Sequence, residues 1–191
     1  MKKKENHTLL KPLIDRMSSA VRLKNPAVVT KQIKKDLEEL IQNGQLNLPS
    51  EFKIPQSSCY ARRLLHQDEE LGFVIVAMTW GPGQKTQLHD HAGIWCVEGV
   101  IEGEMSVTQY ELIEKKKNLF KFVKRDVIRA GVGGAGALIP PHEHHILANA
   151  LKDQPSVTLH VYGGEINRCN VFVSKVNGWY EREECELNYH H

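Results

Sequence analysis

The sequence is poor in cysteine and contains no long apolar run. Its four cysteines are scattered over 191 residues without a CxxC pair, so a disulfide-rich scaffold is not expected and a reducing compartment, the cytoplasm, is predicted. No apolar segment of about 18 residues occurs, so no membrane-spanning helix is predicted. The charged start MKKKENHT is followed by no apolar segment, which argues against a signal peptide.

An excess of one charge is also missing. The formal net charge is +2, which predicts neither a nucleic-acid partner nor a membrane surface as a partner. Hydrophobic residues make up 41% and charged residues 25% of the chain, as is usual for globular proteins. The length suits one structural domain, and we expect a monomer or a weak homo-oligomer.

The first 50 residues predict helices. Apolar residues recur at helical spacing over residues 8–44. Asn25 and Pro26 are typical of an N-cap and a first helical turn, and Gly44 is typical of a helix end. We expect residues 1–50 to form a helical segment that packs on a barrel made by residues 51–191.

The remainder of the chain has the pattern of short strands. Runs with β-type composition and alternation are separated by turns such as Gly81-Pro82-Gly83, which predicts an all-β sandwich or barrel. The charged run 114–117 is expected at a solvated hairpin tip. The predicted strands are 73–80, 94–101, 104–112, 119–128 and 156–163.

Two clusters of histidines are candidates for a metal site. His89 and His91 are two residues apart, so in a strand both rings would point to the same side. A second cluster contains His142, His144 and His145. A lone His-X-His pair is often an ordinary surface or core feature, but two clusters in one β domain favour metal binding.

The spacing of these clusters resembles the two motifs of the cupin superfamily. That resemblance implies a mainly β fold, a double-stranded β-helix or jelly-roll barrel, here with N-terminal α-helices. It also implies that His89, His91 and His145 bind the metal and that His142 and His144 do not. The matching positions are Gly83, His89, His91 and Gly103 in the first motif and Gly134, Pro140, His142, His145 and Asn149 in the second, with His142 in place of the usual glycine.

A carboxylate ligand is missing from its usual place in the first cupin motif. Trp95 and Cys96 occupy the two positions where that acid is expected, and Glu98 is displaced by two residues. Glu98 would share a strand face with Cys96 but lie deeper along it. Three neutral imidazole ligands would leave more positive charge on the metal than a ligand set that includes a carboxylate, and they would leave several coordination positions open. Both features favour an anionic thiolate as substrate.

From Tyr60 to Phe172 the chain resembles the cysteine dioxygenase, or thiol dioxygenase, family of cupins. The segment YARRLL at 60–65 is similar to the strand on which this family carries its carboxylate-binding arginine, here Arg62. Cys96 and Tyr162 fall on a cysteine and a tyrosine that can be crosslinked beside the iron. Thr158, His160 and Tyr162 resemble the family's Ser-X-His-X-Tyr triad, and alternation places all three on one strand face.

The resemblance implies Fe(II) as the cofactor, with a small thiol carboxylate and O2 as the substrates. Arg62 would hold the carboxylate, Tyr60 would line the substrate site, and Tyr162 with His160 and Thr158 would manage protons beside Cys96. The implied reaction adds both oxygen atoms to sulfur, converting L-cysteine to cysteine sulfinate.

Some residues depart from the mammalian-type pattern. Gly163 and Gly164 follow the tyrosine and look more like bacterial 3-mercaptopropionate dioxygenases, in which a later arginine, here Arg168, binds the carboxylate. The alternatives are therefore 3-mercaptopropionate or mercaptosuccinate as the substrate, or a non-enzymatic metal-binding cupin. Arg63 is expected to face solvent, and the three tryptophans are expected to be packing residues.

Overall fold

Two helices precede the strands. The computed structural model describes residues 2–190, with side chains described for residues 9–190, and Met1 and His191 lie outside this range. Helix α1 spans Lys2–Val21 and α2 spans Pro26–Gln42. Asn25 caps α2 by accepting hydrogen bonds from two backbone N–H groups of its first turn. Gly44 follows the end of α2 and has φ +64°, a left-handed conformation that is common after a helix. The predicted helices are confirmed.

Ten strands follow the helices and form two antiparallel sheets. The first sheet has the order β1-β2-β8-β3-β6, and the second has the order β7-β4-β5-β10-β9. Two facing five-stranded sheets with these crossovers confirm the predicted mainly β, jelly-roll fold. The strands are β1 Ala61–Asp68, β2 Phe73–Trp80, β3 Cys96–Glu102, β4 Glu104–Lys116, β5 Leu119–Gly131, β6 Ala135–Leu138, β7 His145–Asn149, β8 Ser156–Tyr162, β9 Arg168–Ser174 and β10 Trp179–Glu186.

All five strands predicted from alternation are present, with ends moved by a few residues. Strand β2 lies where it was expected, whereas β3 begins two residues later than predicted. The run 114–117 lies at the end of its hairpin as expected, but residues 114–116 still belong to β4 and only Lys117 enters the turn, with φ 56°. Alternation gave no signal for β6, β7, β9 and β10, because these strands are short or largely polar.

The first sheet is buried on both faces. In β2, residues 73, 75 and 77 pack outward against both helices, and residues 74, 76, 78 and 80 point into the barrel. This double burial explains why β2 is a continuous apolar run. The helices therefore close one face of the sheet, and the functional side chains lie on the other. Within residues 2–190, no helix combines the length and apolar character needed to cross a membrane.

Arg63 in strand β1 is buried, contrary to the prediction from the sequence. Arg63 was expected to face solvent, but only 5% of it is exposed. Its guanidinium donates to the carbonyls of Phe52 and Ile54 and to the hydroxyl of Thr79. The expectation was wrong because the segment before β1 covers the outer face of this edge strand.

Candidate active site

Three histidines from distant parts of the chain meet at one end of the barrel. His89 and His91 lie in the connection between β2 and β3, and His145 begins β7. His89 pairs with His145 through an isolated bridge, in which each backbone N–H donates to the other's carbonyl at 3.2 and 3.3 Å. The bridge brings His89 next to His145. The rings of His89 and His91 also converge, although His91 lies in a loop and not, as predicted, in a strand.

The three rings are packed as a metal site requires. Their centroids are 5.4 Å apart for His89 and His91, 4.4 Å for His89 and His145, and 5.1 Å for His91 and His145. The ligand nitrogens of all three lie within 4.8 Å of one another. One ion can therefore be reached by all three side chains.

Hydrogen bonds leave the Nε2 atoms free for a ligand. Nδ1 of His89 lies 3.1 Å from the carbonyl of Gln87, and Nδ1 of His145 lies 2.6 Å from the carbonyl of Glu143. Because a carbonyl only accepts, each Nδ1 carries the proton. Nε2 of His145 and both ring nitrogens of His91 are buried without a hydrogen-bond partner in the described part of the chain. Such atoms fit a divalent cation.

The electrostatics favour neutral imidazoles at two of these positions. Burial lowers the pKa of His89 to about 3, and burial also holds the pKa of His91 well below its usual value. For His145, burial acts in the same direction, but the carboxylate of Glu98 outweighs it and raises the pKa. Neutral His89 and His91 are in the protonation state that binds metal.

The other two histidines of the second cluster lie apart from this site. His144 packs between aromatic rings, with centroid distances of 4.9 Å to Phe122 and 5.3 Å to Phe172. His142 is exposed in the loop before β7. Neither residue belongs to the group of converging ligand atoms among the described residues.

A row of hydrogen bonds runs along β8 beside the histidines. Trp80 Nε1 donates to Thr158 Oγ1 at 2.9 Å, and this oxygen lies 2.8 Å from His160 Nε2. Nδ1 of His160 faces the hydroxyl of Tyr162 at 3.3 Å and the carboxylate of Glu98 at 3.2 Å. Because an ionised carboxylate only accepts, Nδ1 carries the proton, and Nε2 accepts from the hydroxyl of Thr158. Trp80 was expected only to pack, and its donor role was missed.

Tyr162 and Cys96 form the wall next to the histidines. Tyr162 contacts His91 edge to face, with ring centroids 5.5 Å apart. Burial raises the pKa of the Tyr162 hydroxyl well above its usual value and does the same for the Cys96 thiol. Both groups are therefore protonated at neutral pH and can donate hydrogen bonds.

Glu98 lies in the site, although no role for it was predicted from the sequence. Its side chain is buried, and Oε1 lies 3.2 Å from His160 Nδ1, 3.4 Å from His145 Nε2 and 4.0 Å from His91 Nε2. Burial disfavours its charged form, but His145 and His160 outweigh this and hold the pKa of Glu98 well below its usual value. The available signal was its position on the inward face, two residues after Cys96.

Arg62 lines a cavity that also contains part of the histidine cluster. The cavity has a volume of about 240 Å³, and its lining includes Arg62, Glu98, Tyr162 and the histidines at positions 89, 91 and 160. Only 4% of Arg62 is exposed, and its guanidinium donates to the carbonyls of Ile166 and Asn188 at 3.2 and 3.4 Å. It also stacks on the ring of Tyr189, 5.1 Å from the centroid. None of these partners carries a full negative charge, so the guanidinium can still pair with an anion.

Of the other two predicted substrate-binding residues, Tyr60 lines the cavity and Arg168 does not. Tyr60 lines the cavity and stacks on Trp80 at 4.5 Å, and burial raises the pKa of its hydroxyl to about 12. Arg168 does not line the cavity: its side chain is 65% exposed and lies 3.6 Å from the carboxylate of Glu184. The structure thus brings Arg62 and Tyr60 to the histidines but not Arg168.

The jelly-roll barrel and the three converging histidines define a cupin with a candidate metal site. Residues 18–175 match the family described as Cysteine dioxygenase type I. The chain belongs to this family.

Curated relatives agree with this assignment at low identity. Cysteine dioxygenase type 1 of Rattus norvegicus is 24% identical over 113 residues, and that of Homo sapiens is 26% identical over 117 residues. Each match covers 59% of this chain and 55% of the relative, so the matched region spans little more than half of those proteins. A double-stranded β-helix protein from Klebsiella pneumoniae, a solved structure, has a TM-score of 0.48 and 19% identity over 70% of this chain and 93% of its own.

Proposed function

We propose that this chain is an Fe(II)-dependent thiol dioxygenase that acts on a small thiol carboxylate, with L-cysteine as the preferred substrate. The reaction is RSH + O2 → RSO2⁻ + H⁺, which places both oxygen atoms on sulfur. The observation that carries this proposal is a cluster of three histidines, two of which, His89 and His91, line the same cavity as a buried arginine without an acidic partner in residues 9–190. The name shared by the curated relatives supports cysteine.

His89, His91 and His145 would hold the iron through Nε2. Bound Fe(II) supplies a redox-active Lewis acid that favours the thiolate form of the substrate and reacts with dioxygen. The protein contributes the orientation of the rings, because the carbonyls of Gln87 and Glu143 fix the tautomers of His89 and His145.

Arg62 would orient the substrate by its carboxylate. A guanidinium offers two parallel N–H groups to a carboxylate, and this planar arrangement sets direction as well as affinity. With the carboxylate at Arg62 and the sulfur at the histidines, the thiol is aligned along the cavity. The apolar walls, including Met78, Leu147 and Leu187, exclude water from the sulfur.

Tyr162 would hold a proton next to the reacting sulfur. Its hydroxyl remains protonated because burial raises its pKa, and it lies next to the N–H of His160. The carboxylate of Glu98 favours the proton on Nδ1 of His160, and Thr158 holds the other side of the ring. This row lets the hydroxyl of Tyr162 donate to developing negative charge while His160 replaces the shared proton.

Oxygen consumption tests the proposal directly. Fe(II)-loaded protein should consume O2 with L-cysteine and form one sulfinate for each O2 consumed. 3-Mercaptopropionate and mercaptosuccinate should be tested separately. A faster reaction with either would reassign the substrate, and no consumption with any of the three thiols would favour a non-enzymatic metal-binding cupin.

A further inference from the structure

The segment 187–190, which follows strand β10, lies against Arg62 at the start of β1. The N–H of Leu187 donates to the carbonyl of Asn167 at 2.8 Å, and the side chain of Leu187 is part of the cavity lining. The N–H of Arg62 donates to Nδ1 of His190 at 3.1 Å, and the N–H of His190 donates to the carbonyl of Arg62 at 2.6 Å. Because β1 is at the edge of the first sheet, this segment covers a free strand edge at the position of Arg62.

We propose that Tyr189, in the middle of this segment, is a positioning residue that holds the guanidinium of Arg62 in the orientation in which it binds the substrate carboxylate. This inference rests on the function proposed above, in which Arg62 binds that carboxylate. The family match ends at residue 175, so it does not cover Tyr189.

The guanidinium of Arg62 has three contacts that restrict its orientation. Its Cζ atom lies over the ring of Tyr189 at 5.1 Å from the centroid, within the distance of about 6 Å at which an aromatic face attracts a cation. The carbonyls of Ile166 and Asn188 accept from its two terminal nitrogens at 3.2 and 3.4 Å. Because only 4% of Arg62 is exposed, water competes little with these contacts.

A guanidinium that is held in this way remains able to bind a carboxylate. It has five N–H groups, of which two donate to the carbonyls of Ile166 and Asn188. The others are available to the substrate, and their direction is set before the substrate arrives. Less orientational freedom is then lost on binding, which raises the affinity for a carboxylate.

The face of the Tyr189 ring, and not its hydroxyl, makes the contact with Arg62. The hydroxyl is buried and has no hydrogen-bond partner in the part of the chain that the structure describes. Replacement by phenylalanine would therefore break no hydrogen bond and would keep the aromatic face. A leucine at position 189 would keep an apolar side chain but remove the face that attracts the cation.

Titration calorimetry of the Fe(II)-loaded protein in the absence of O2 measures thiol binding without turnover. In Tyr189→Leu we expect the Kd for L-cysteine and for 3-mercaptopropionate to rise about tenfold, or some 1.4 kcal/mol. A loss of this size is in the range of a desolvated contact between a cation and an aromatic ring. The Kd for cysteamine, which has no carboxylate, should not change. Tyr189→Phe should bind all three thiols as the unchanged protein does.

Two controls separate positioning of Arg62 from a general effect on stability. Tyr180 packs on Phe122 with ring centroids 5.5 Å apart and does not line the cavity. Tyr180→Leu should therefore lower the melting temperature without changing the Kd for L-cysteine. In an Arg62→Gln background, Tyr189→Leu should weaken the binding of L-cysteine no further, because the ring acts through Arg62.

The outcomes separate this inference from the proposed function. Unchanged affinity for L-cysteine in folded Tyr189→Leu, an equal loss with cysteamine, or an equal loss in Tyr189→Phe would overturn the positioning role alone. If the unchanged protein bound neither thiol carboxylate, both proposals would be overturned. Should Tyr189→Leu fail to fold, Tyr189→Met provides a longer apolar side chain without an aromatic face, and the same tenfold loss is expected.

Discussion

Cys96 and Tyr162 lie directly opposite each other on the neighbouring antiparallel strands β3 and β8. Directly opposed residues in such a pair have Cβ atoms about 4.5–5.5 Å apart, and their side chains leave the same face of the sheet. Here that face is the interior of the barrel, where Cys96 Sγ lies 4.0 Å from His160 Nδ1 and the tyrosine hydroxyl lies 3.3 Å from the same nitrogen. The pair is held in contact by backbone register, beside His91.

This register predicts a thioether between Cys96 and Tyr162. After many turnovers with Fe(II), O2 and thiol, a peptide map should contain a linked pair of peptides that has lost two hydrogen atoms, because the enforced proximity favours the coupling. Cys96→Ala should abolish the linked species and retain reduced activity. Cys169→Ala should still form it, since Cys169 lies on β9. Only free Cys96 after prolonged turnover would contradict the prediction and leave the dioxygenase proposal intact.

Arg62 should determine the affinity for the substrate carboxylate. Arg62→Gln should raise KM for L-cysteine roughly ten- to a hundredfold, since loss of a charged hydrogen bond in a buried site costs on the order of 1.5–3 kcal/mol. Arg168→Gln is the control, and it should change KM little because Arg168 is exposed and pairs with Glu184.

A comparison of cysteine with cysteamine shows whether Arg62 binds the substrate or only supports the structure. Cysteamine has no carboxylate, so Arg62→Gln should leave the kinetic constants measured with it unchanged. Equal losses with cysteine and cysteamine would show that Arg62 mainly supports the carbonyls of Ile166 and Asn188. In that case the melting temperature of the variant should fall as well.

The choice of His145 over its neighbour His144 can be tested by metal content. His145→Ala should lose bound iron, because one of the three converging Nε2 atoms disappears. His144→Ala should keep the iron and lose stability instead, because His144 packs between Phe122 and Phe172. Stoichiometric iron in purified His145→Ala would show that a different histidine binds the metal.

Local pattern was sufficient for part of this structure. A run of β-type composition predicted β2, and period-two alternation placed Thr158, His160 and Tyr162 on one face, because a strand fixes these relations locally. Nothing local distinguishes His144 from His145. His145 was predicted to be the ligand from the resemblance to the cupin motifs. In the structure, His144 packs between Phe122 and Phe172, and these two rings are remote from it in sequence.

The wrong prediction for Arg63 and the missing prediction for Glu98 both result from contacts between residues that are distant in sequence. Arg63 was expected outside because alternation assigns it to the outer face, but the segment with Phe52 and Ile54 covers that face. Glu98 received no role because its importance depends on His145, which reaches it from the other sheet. Tertiary contacts of this kind leave no periodic signal in a single sequence.

Gly163 is predicted to be required for packing rather than for chemistry. A Cβ atom at this position would lie 2.2 Å from the indole of Trp95, far inside contact distance. Gly163→Ala should therefore lower the free energy of unfolding by about 1–3 kcal/mol, the usual cost of overpacking. Gly136→Ala is the matched control, since its new methyl group would meet nothing within 4 Å. Denaturant unfolding measures both, and in a Trp95→Ala background Gly163→Ala should cost almost nothing further. An equal cost in both backgrounds would mean that backbone conformation, and not contact with Trp95, selects glycine at position 163.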